Sequence, residues 1–340
     1  MTEGTSTLLG AVVIGRNEGQ RLRRCLSSLA GKVARLVYVD SGSTDGSVAL
    51  AGQMGAEVVE LDTHQPFTAA RARNAGLARL RTATPEAAWV QFVDGDCEVA
   101  PGWLDQAVQA LAADATVAVV CGRRRERHPE ASIYNRLCDI EWNTPIGFAS
   151  ACGGDALMRI EPLLGVGGYN ASLIAGEEPE LCLRLRQRDH LILRIDAEMT
   201  LHDANILRFG QWWKRTLRSG HAYAEGYVLH RRDPGRFCAK QVRSNIIWGA
   251  ILPLVVLGLL PFSVRLSALA FAAHAVLAAR VFLSTRRRGF SRADAGLFSA
   301  FVVLGKLPSA LGQLRYFWHR LRGRRSSLIE YKGAESSTPR

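Results

Sequence analysis

Hydrophobic positions along the chain follow two regimes. Over the first two-thirds, short apolar runs rich in β-branched residues alternate with stretches of helical period. Strands are predicted at Leu8–Ile14, Ala34–Val39, Glu57–Leu61, Trp89–Val93 and Val117–Cys121, and helices at Gln20–Leu29, Thr44–Met54, Ala69–Leu80 and Trp103–Ala112. Such alternation predicts an α/β fold built on a mostly parallel sheet with helices on both faces. Ligands of these sheets bind outside the carboxyl ends of the strands, so the polar residues that follow each strand matter most. Past Pro145 the pattern loosens into glycine-rich stretches at 152–155 and 165–169. A helix over Pro179–Gln187, a strand-like run at Arg194–Met199 and a helix over Phe209–Tyr227 follow.

The apolar runs of the last third have almost no polar face over about 40 residues. The runs Ile246–Phe262 and Leu266–Leu283 are each close to the ~17–25 residues that cross a bilayer. A third run, Ala295–Trp318, carries Lys306 and Pro308 near its middle. The basic flanks Arg286–Arg292 and Arg315–Arg325 both belong on the cytoplasmic side, which one crossing between them cannot satisfy. The expectation is two spans plus one interfacial or re-entrant helix. A soluble helical domain is the competing reading. The domains expected are a catalytic domain over 1–230, a basic hinge over 231–244, membrane-associated helices over 245–325 and a flexible tail over 326–340.

Charge supports this division. The formal net charge is +12, yet from Arg280 onward there are 13 Lys and Arg against 3 Asp and Glu, leaving only +2 for the rest. A basic tail beside apolar helices suits an anionic membrane surface. With no accompanying nucleic-acid motif, no nucleic-acid partner is expected. The seven cysteines form no C-x-x-C pair and no zinc-ligand spacing with histidine. They read as buried reduced thiols of a reducing compartment. The first apolar run reads as a strand and not as the core of a signal peptide.

Candidate chemistry gathers at the strand ends. Val90-Gln91-Phe92-Val93 delivers Asp94-Gly95-Asp96, two carboxylates that face one way in extended chain. Hard oxygen donors beside a diphosphate suit Mg²⁺ or Mn²⁺. Val37-Tyr38-Val39 ends in Asp40, placed to accept hydrogen bonds from a base or ribose, and Asp45 reads as an N-cap. After the first strand, Arg16, Asn17 and Glu18 lie at the same edge. No G-x-x-x-x-G-K loop occurs and no G-x-G-x-x-G follows a strand, which disfavours ATPases and dinucleotide oxidoreductases.

The run Val12–Glu18, the D-S-G-S-T-D-G-S block from Asp40, the A-R-N-A-G-L at Ala72–Leu77 and the D-G-D at Asp94–Asp96 resemble family 2 glycosyltransferases of the GT-A fold. The resemblance runs on through Gly167-Gly168-Tyr169-Asn170 and Gly176-Glu177-Glu178-Pro179-Glu180-Leu181, over roughly residues 8–225. It implies a nucleotide-diphosphate sugar donor, with UDP ahead of GDP on family frequency. It also implies that Arg16, Glu18, Asp40, Arg73, Asn74 and Asp94 line the donor site and that Asp96 ligates the metal, with His202 as a second candidate ligand. Where the family has a Glu-Asp pair whose Asp is the general base, this chain has Glu177-Glu178; Glu178 is preferred as the base, with Glu177 the alternative. Gln211-Trp212-Trp213-Lys214-Arg215 resembles the Q-x-x-R-W of processive synthases at the wrong spacing, which implies transfer of a single sugar. The activity expected is inverting, metal-dependent transfer to a lipid-linked or other membrane-associated acceptor at the cytoplasmic face of the inner membrane, in cell-envelope or exopolysaccharide assembly. Transfer to a polyprenyl phosphate and a degenerate, non-catalytic scaffold are the alternatives.

Overall fold

The computed structural model describes residues 9–323. Leu8, Arg324, Arg325 and the tail over 326–340 lie outside the described residues. Two compact units emerge, one made of residues 9–128 and 141–205, the other of residues 129–140 and 206–323.

The first unit is built on a nine-stranded sheet: β1 (Leu9–Gly15), β2 (Arg35–Asp40), β3 (Glu57–Glu60), β4 (Trp89–Asp94), β5 (Cys97–Val99), β6 (Val117–Glu126), β7 (Gly147–Phe148), β8 (Ala156–Arg159) and β9 (Leu191–His202). The spatial order is β3-β2-β1-β4-β8-β6-β9-β5, with β7 beside β9. Parallel pairing holds through β3-β2-β1-β4 and again between β6 and β9. The remaining pairs are antiparallel, because β8 runs back between β4 and β6 and β5 runs back along β9. The sheet is therefore mixed, with its parallel part where strand and helix alternate in sequence.

Adjacent residues of a strand point to opposite faces, and Val12 and Val13 are both fully buried, so β1 is covered on both sides. One cover is the helix Ala69–Ala83, which packs on β1 and β2. Its approach depends on Gly76, where a Cβ would come within 2.9 Å of Val39 Cγ2 and closer still to Val12. The helix starts at Thr68, whose hydroxyl accepts from the Arg71 amide at 3.1 Å. The helix Gln20–Leu29 buries Leu22, Cys25, Leu26 and Leu29, the recurrence of an apolar stripe. Register then levels the strand ends: Gly15 pairs with Asp40, and Ile14 pairs with Asp94.

The second unit is helical. Its helices Phe209–Leu229 and Lys306–Leu321 touch backbone to backbone, because a Cβ on Gly220 would lie 2.6 Å from Ser309 Cα and one on Gly312 would lie 2.9 Å from the His221 amide. Tyr134 stacks on Trp212 at 6.5 Å, and Arg136 holds Asp294 through two bonds of 2.8 Å. Three stretches are long and apolar enough to cross a membrane: Ala239–Leu259, Val264–Arg287 and Arg292–Leu321. The third is interrupted at Gly305, and Lys306 Nζ donates to Ser244 Oγ and Asn245 Oδ1. Leu269 and Phe271 are 71% and 63% exposed, the reverse of a water-soluble helical core.

Candidate active site

Three groups of side chains converge where β1, β2, β4 and β9 end. The first surrounds Asp94. Its carboxylate accepts from Arg73 at 2.7 Å, and the other arm of Arg73 donates to Glu177 at 2.7 Å. Arg73 is buried, on the helix that covers β1, and its guanidinium lies 5.4 Å from the Tyr169 ring. The Asp94 amide donates to Asp155 Oδ1 at 2.9 Å; Asp155 Oδ2 accepts from Thr200 and pairs with Arg124, each at 2.8 Å. Asp155 is fully buried and ties β4, β6, β8 and β9 together. The loop before β8 presses on this group: a Cβ on Gly154 would stand 2.7 Å from Asp94 Oδ2 and 2.9 Å from the Arg73 guanidinium.

The second group follows from register, since Cys97 of β5 pairs with His202 of β9. That pairing brings His202 Nε2 to 3.2 Å from Asp96 Oδ2. Trp142 closes over the imidazole, its ring centroid 4.7 Å away. Burial, and after it the Arg124 cation, push the His202 imidazole down to about 4, so the ring is neutral near pH 7. Its buried Nδ1 makes no hydrogen bond among the described residues. One ligand atom each from Asp96, Cys97 and His202 lie within 4.8 Å of one another. A carboxylate and a neutral imidazole fit a divalent cation; burial holds the Cys97 thiol well above its usual range and keeps it protonated.

The third group separates the two adjacent glutamates. Glu177 and Glu178 open the helix Glu177–Arg186, where successive side chains diverge by about 100°. Glu177 therefore turns to Arg73. Glu178 turns inward, and its Oε1 accepts from the Cys152 amide at 2.6 Å and the Cys182 thiol at 3.0 Å. Burial, with Glu177 adding to it, holds the Glu178 carboxyl above its usual range.

Of the remaining residues singled out from the sequence, Asp40 is 2% exposed and shapes its own loop. It accepts from the Gly42 and Ser43 amides at 2.8 Å and from the Tyr38 hydroxyl at 3.0 Å. Gly42 sits at φ +85°, which glycine adopts without strain. Asn17 bridges the ends of β1 and β2, its amide donating to Ser43 Oγ and its Oδ1 accepting from Thr44 N. Gly46, not Asp45, is the N-cap of the helix Ser47–Gln53; Asp45, one residue earlier, accepts from the Ser47 amide and hydroxyl. Glu18 pairs with Arg21 at 3.0 Å, and Arg16 is exposed on the loop after β1. Asn74 exchanges two bonds with the Tyr169 backbone, fixing the Gly167–Asn170 loop against its helix. Asp155, Arg124 and Trp142 were not predicted. An acid directly before the apolar run Ala156–Met158 was the one signal available for Asp155.

Residues 11–153 match the family model Glycosyl transferase family 2. The succinoglycan biosynthesis protein ExoA of Rhizobium meliloti is 26% identical over 267 residues, 74% of this chain and 80% of its own length. The pre-mycofactocin glycosyltransferase of Mycobacterium tuberculosis is 25% identical over 236 residues, 64% of this chain and 47% of its own length. Among solved structures, a mannosyltransferase from Pyrobaculum calidifontis in complex with GDP-Man and Mn²⁺ shares the fold at a TM-score of 0.60 and 18% identity, across 92% of this chain and 88% of the other.

Proposed function

Taking this chain as a glycosyltransferase with a family 2 domain that acts on nucleotide sugars, we propose that it moves one sugar, with inversion, onto a hydroxyl of a membrane-associated, lipid-linked acceptor. The observation that carries this reading is the meeting of Asp94, Asp96, His202 and the Glu177-Glu178 pair around the buried Arg73 and Asp155. Asp40 and its loop, with Arg16 and Glu18, form the nucleotide end of the donor site, and Arg73, Asn74 and Asp94 the ribose and phosphate end. Asp96 and His202 are the residues that would hold Mg²⁺ or Mn²⁺. When bound, that cation supplies positive charge to the departing diphosphate.

Glu178 is the general base. It takes the proton of the acceptor hydroxyl as that oxygen bonds to the anomeric carbon and the bond to the diphosphate breaks on the opposite side. One displacement inverts the centre. Two donors fix the position of Glu178, and its raised pKa strengthens it as a base. Glu177 is already engaged by Arg73, which favours Glu178 for proton transfer.

The three apolar stretches support an acceptor held at a bilayer, and the basic flanks favour the cytoplasmic side of the inner membrane. The resemblance to a succinoglycan biosynthesis protein supports a place in exopolysaccharide or cell-envelope assembly. A polyprenyl phosphate acceptor is already ionised and would leave the buried base without a task.

The test is binding of a panel of UDP- and GDP-sugars to the detergent-solubilised chain with and without Mn²⁺, beside Asp96→Asn. One donor bound with Mn²⁺ and lost in the variant is the expected result. Binding indifferent to both the cation and Asp96 would remove the metal assignment.

A further inference from the structure

The Glu178 carboxylate lies against two thiols. Cys152 Sγ and Cys182 Sγ are 3.7 Å apart, both buried and neither in a disulfide. Cys182 Sγ is 3.0 Å from Glu178 Oε1, and one ligand atom each from Cys152, Glu178 and Cys182 lie within 4.8 Å of one another. Glu178 and Cys182 are one turn apart on the same helix, so a rigid element presents two of the three.

We propose that Cys152, Cys182 and Glu178 form a site for a soft divalent cation, with Zn²⁺ as its occupant, separate from the Asp96–His202 pair. Two sulfurs bound at ~2.3 Å in a tetrahedral zinc site stand about 3.8 Å apart, close to the separation present here. The cation fits the existing separation of the two sulfurs. On binding, each S–H bond is replaced by an S–metal bond and both protons leave to solvent. Glu178 adds one oxygen as a carboxylate, water completes the fourth position, and no electron is transferred. Thiolates select Zn²⁺ over Mg²⁺ and Mn²⁺, so the two clusters sort cations by softness. Occupancy ties up the Glu178 oxygen, and transfer stops. That last consequence rests on the reading of Glu178 as the base; the site itself does not.

The experiment titrates Co²⁺, the spectroscopic substitute for Zn²⁺, into the chelator-treated full chain in detergent, and compares it with Cys152→Ser/Cys182→Ser and with each single serine variant. The expected result is a thiolate-to-cobalt charge-transfer band that is lost in the double variant and weakened in each single one. A band of equal strength in the double variant, arising from Cys97 or another thiol, overturns the site. In parallel, sugar transfer supported by Mn²⁺ is measured against added Zn²⁺, each variant relative to its own zinc-free rate. Inhibition of wild type that is lost in the double variant supports the inhibitory consequence, and equal inhibition of both overturns it. A cobalt band specific to the two cysteines without zinc inhibition keeps the site and removes Glu178 from the base role.

Discussion

Arg73 joins two carboxylates that would otherwise face each other, and a double-mutant cycle with Glu177 measures what that joint contributes. Its side chain is 3% exposed, against 28% for Asp94 and 13% for Glu177, and both bonds are 2.7 Å long. Arg73→Met keeps the stem and removes the charge. Breaking a buried pair by deleting one partner costs ~3–5 kcal/mol. Asp94 and Glu177 both keep some contact with water, which places this loss at the lower end, about 3 kcal/mol. Glu177→Gln alone keeps volume and an acceptor but weakens a charge-assisted bond, for about 1 kcal/mol. In the Arg73→Met background the same change removes an uncompensated carboxylate and should be neutral or stabilising. The coupling energy should therefore be about 1–2 kcal/mol, within the range of contacting residues. Because the chain has two units and apolar helices, the suitable readout is native-state hydrogen exchange of peptides covering β4, in detergent. Additivity within about 0.5 kcal/mol would show that Arg73 and Glu177 share no energetic bond, and would refute the reasoning.

Gly76→Ala should destabilise the first unit by about 1–3 kcal/mol, since the new methyl group overlaps Val12 and Val39; the same exchange measurement checks it. Gly154→Ala pushes a methyl group onto Asp94 and Arg73, so it should weaken donor binding in calorimetry by more than it lowers the unfolding midpoint. Glu178 carries two signs with pH. A base acts when ionised, so transfer should climb as pH rises through its raised pKa, and this acid limb should vanish in Glu178→Gln. Folded Glu178 also holds its proton more tightly than unfolded, so its stabilising contribution is present at low pH and lost as pH rises through the folded value. Glu178→Gln should accordingly gain stability relative to wild type above that pH and not below the unfolded value. A difference in urea midpoints that ignores pH would contradict the shift.

The parallel half of the sheet was readable because its central strands are largely apolar local runs, two of them closed by an acid, as Val37–Asp40 and Val90–Asp94 show. The helix Gln20–Leu29 was readable because its stripe is set by its own ten residues. β8 was not, since four residues acquire their antiparallel place only by pairing with β4 and β6. The same holds for Asp155, whose partners Thr200 and Arg124 are remote in sequence. Two identical acids in a row carry no sign of direction; the helix start alone sends Glu177 to Arg73 and Glu178 to the thiols. The link between Asp96 and His202 needed the register of β5 on β9, which no local pattern encodes.

The chain passes between its two units at residues 128, 140 and 205, and this bears on how a ribosome can make it. The segment 129–140 is synthesised inside the first unit yet finds its partners far downstream: Ile206 for Ser132 and Asn135, and Asp294 for Arg136. At ~5–20 residues per second, roughly 8–30 s separate the emergence of Arg136 from that of Asp294. Ile206 and Trp212 reach this segment earlier, but through that interval Arg136 lacks its acid partner, and the apolar stretch from Ala239, long enough to cross a membrane, emerges before that partner does. Delivery of the later helices is then a condition for finishing the middle of the protein. A chain stalled before Asp294 emerges would leave Arg136 without its acid, and segment 129–140 as a handle for chaperones and proteases.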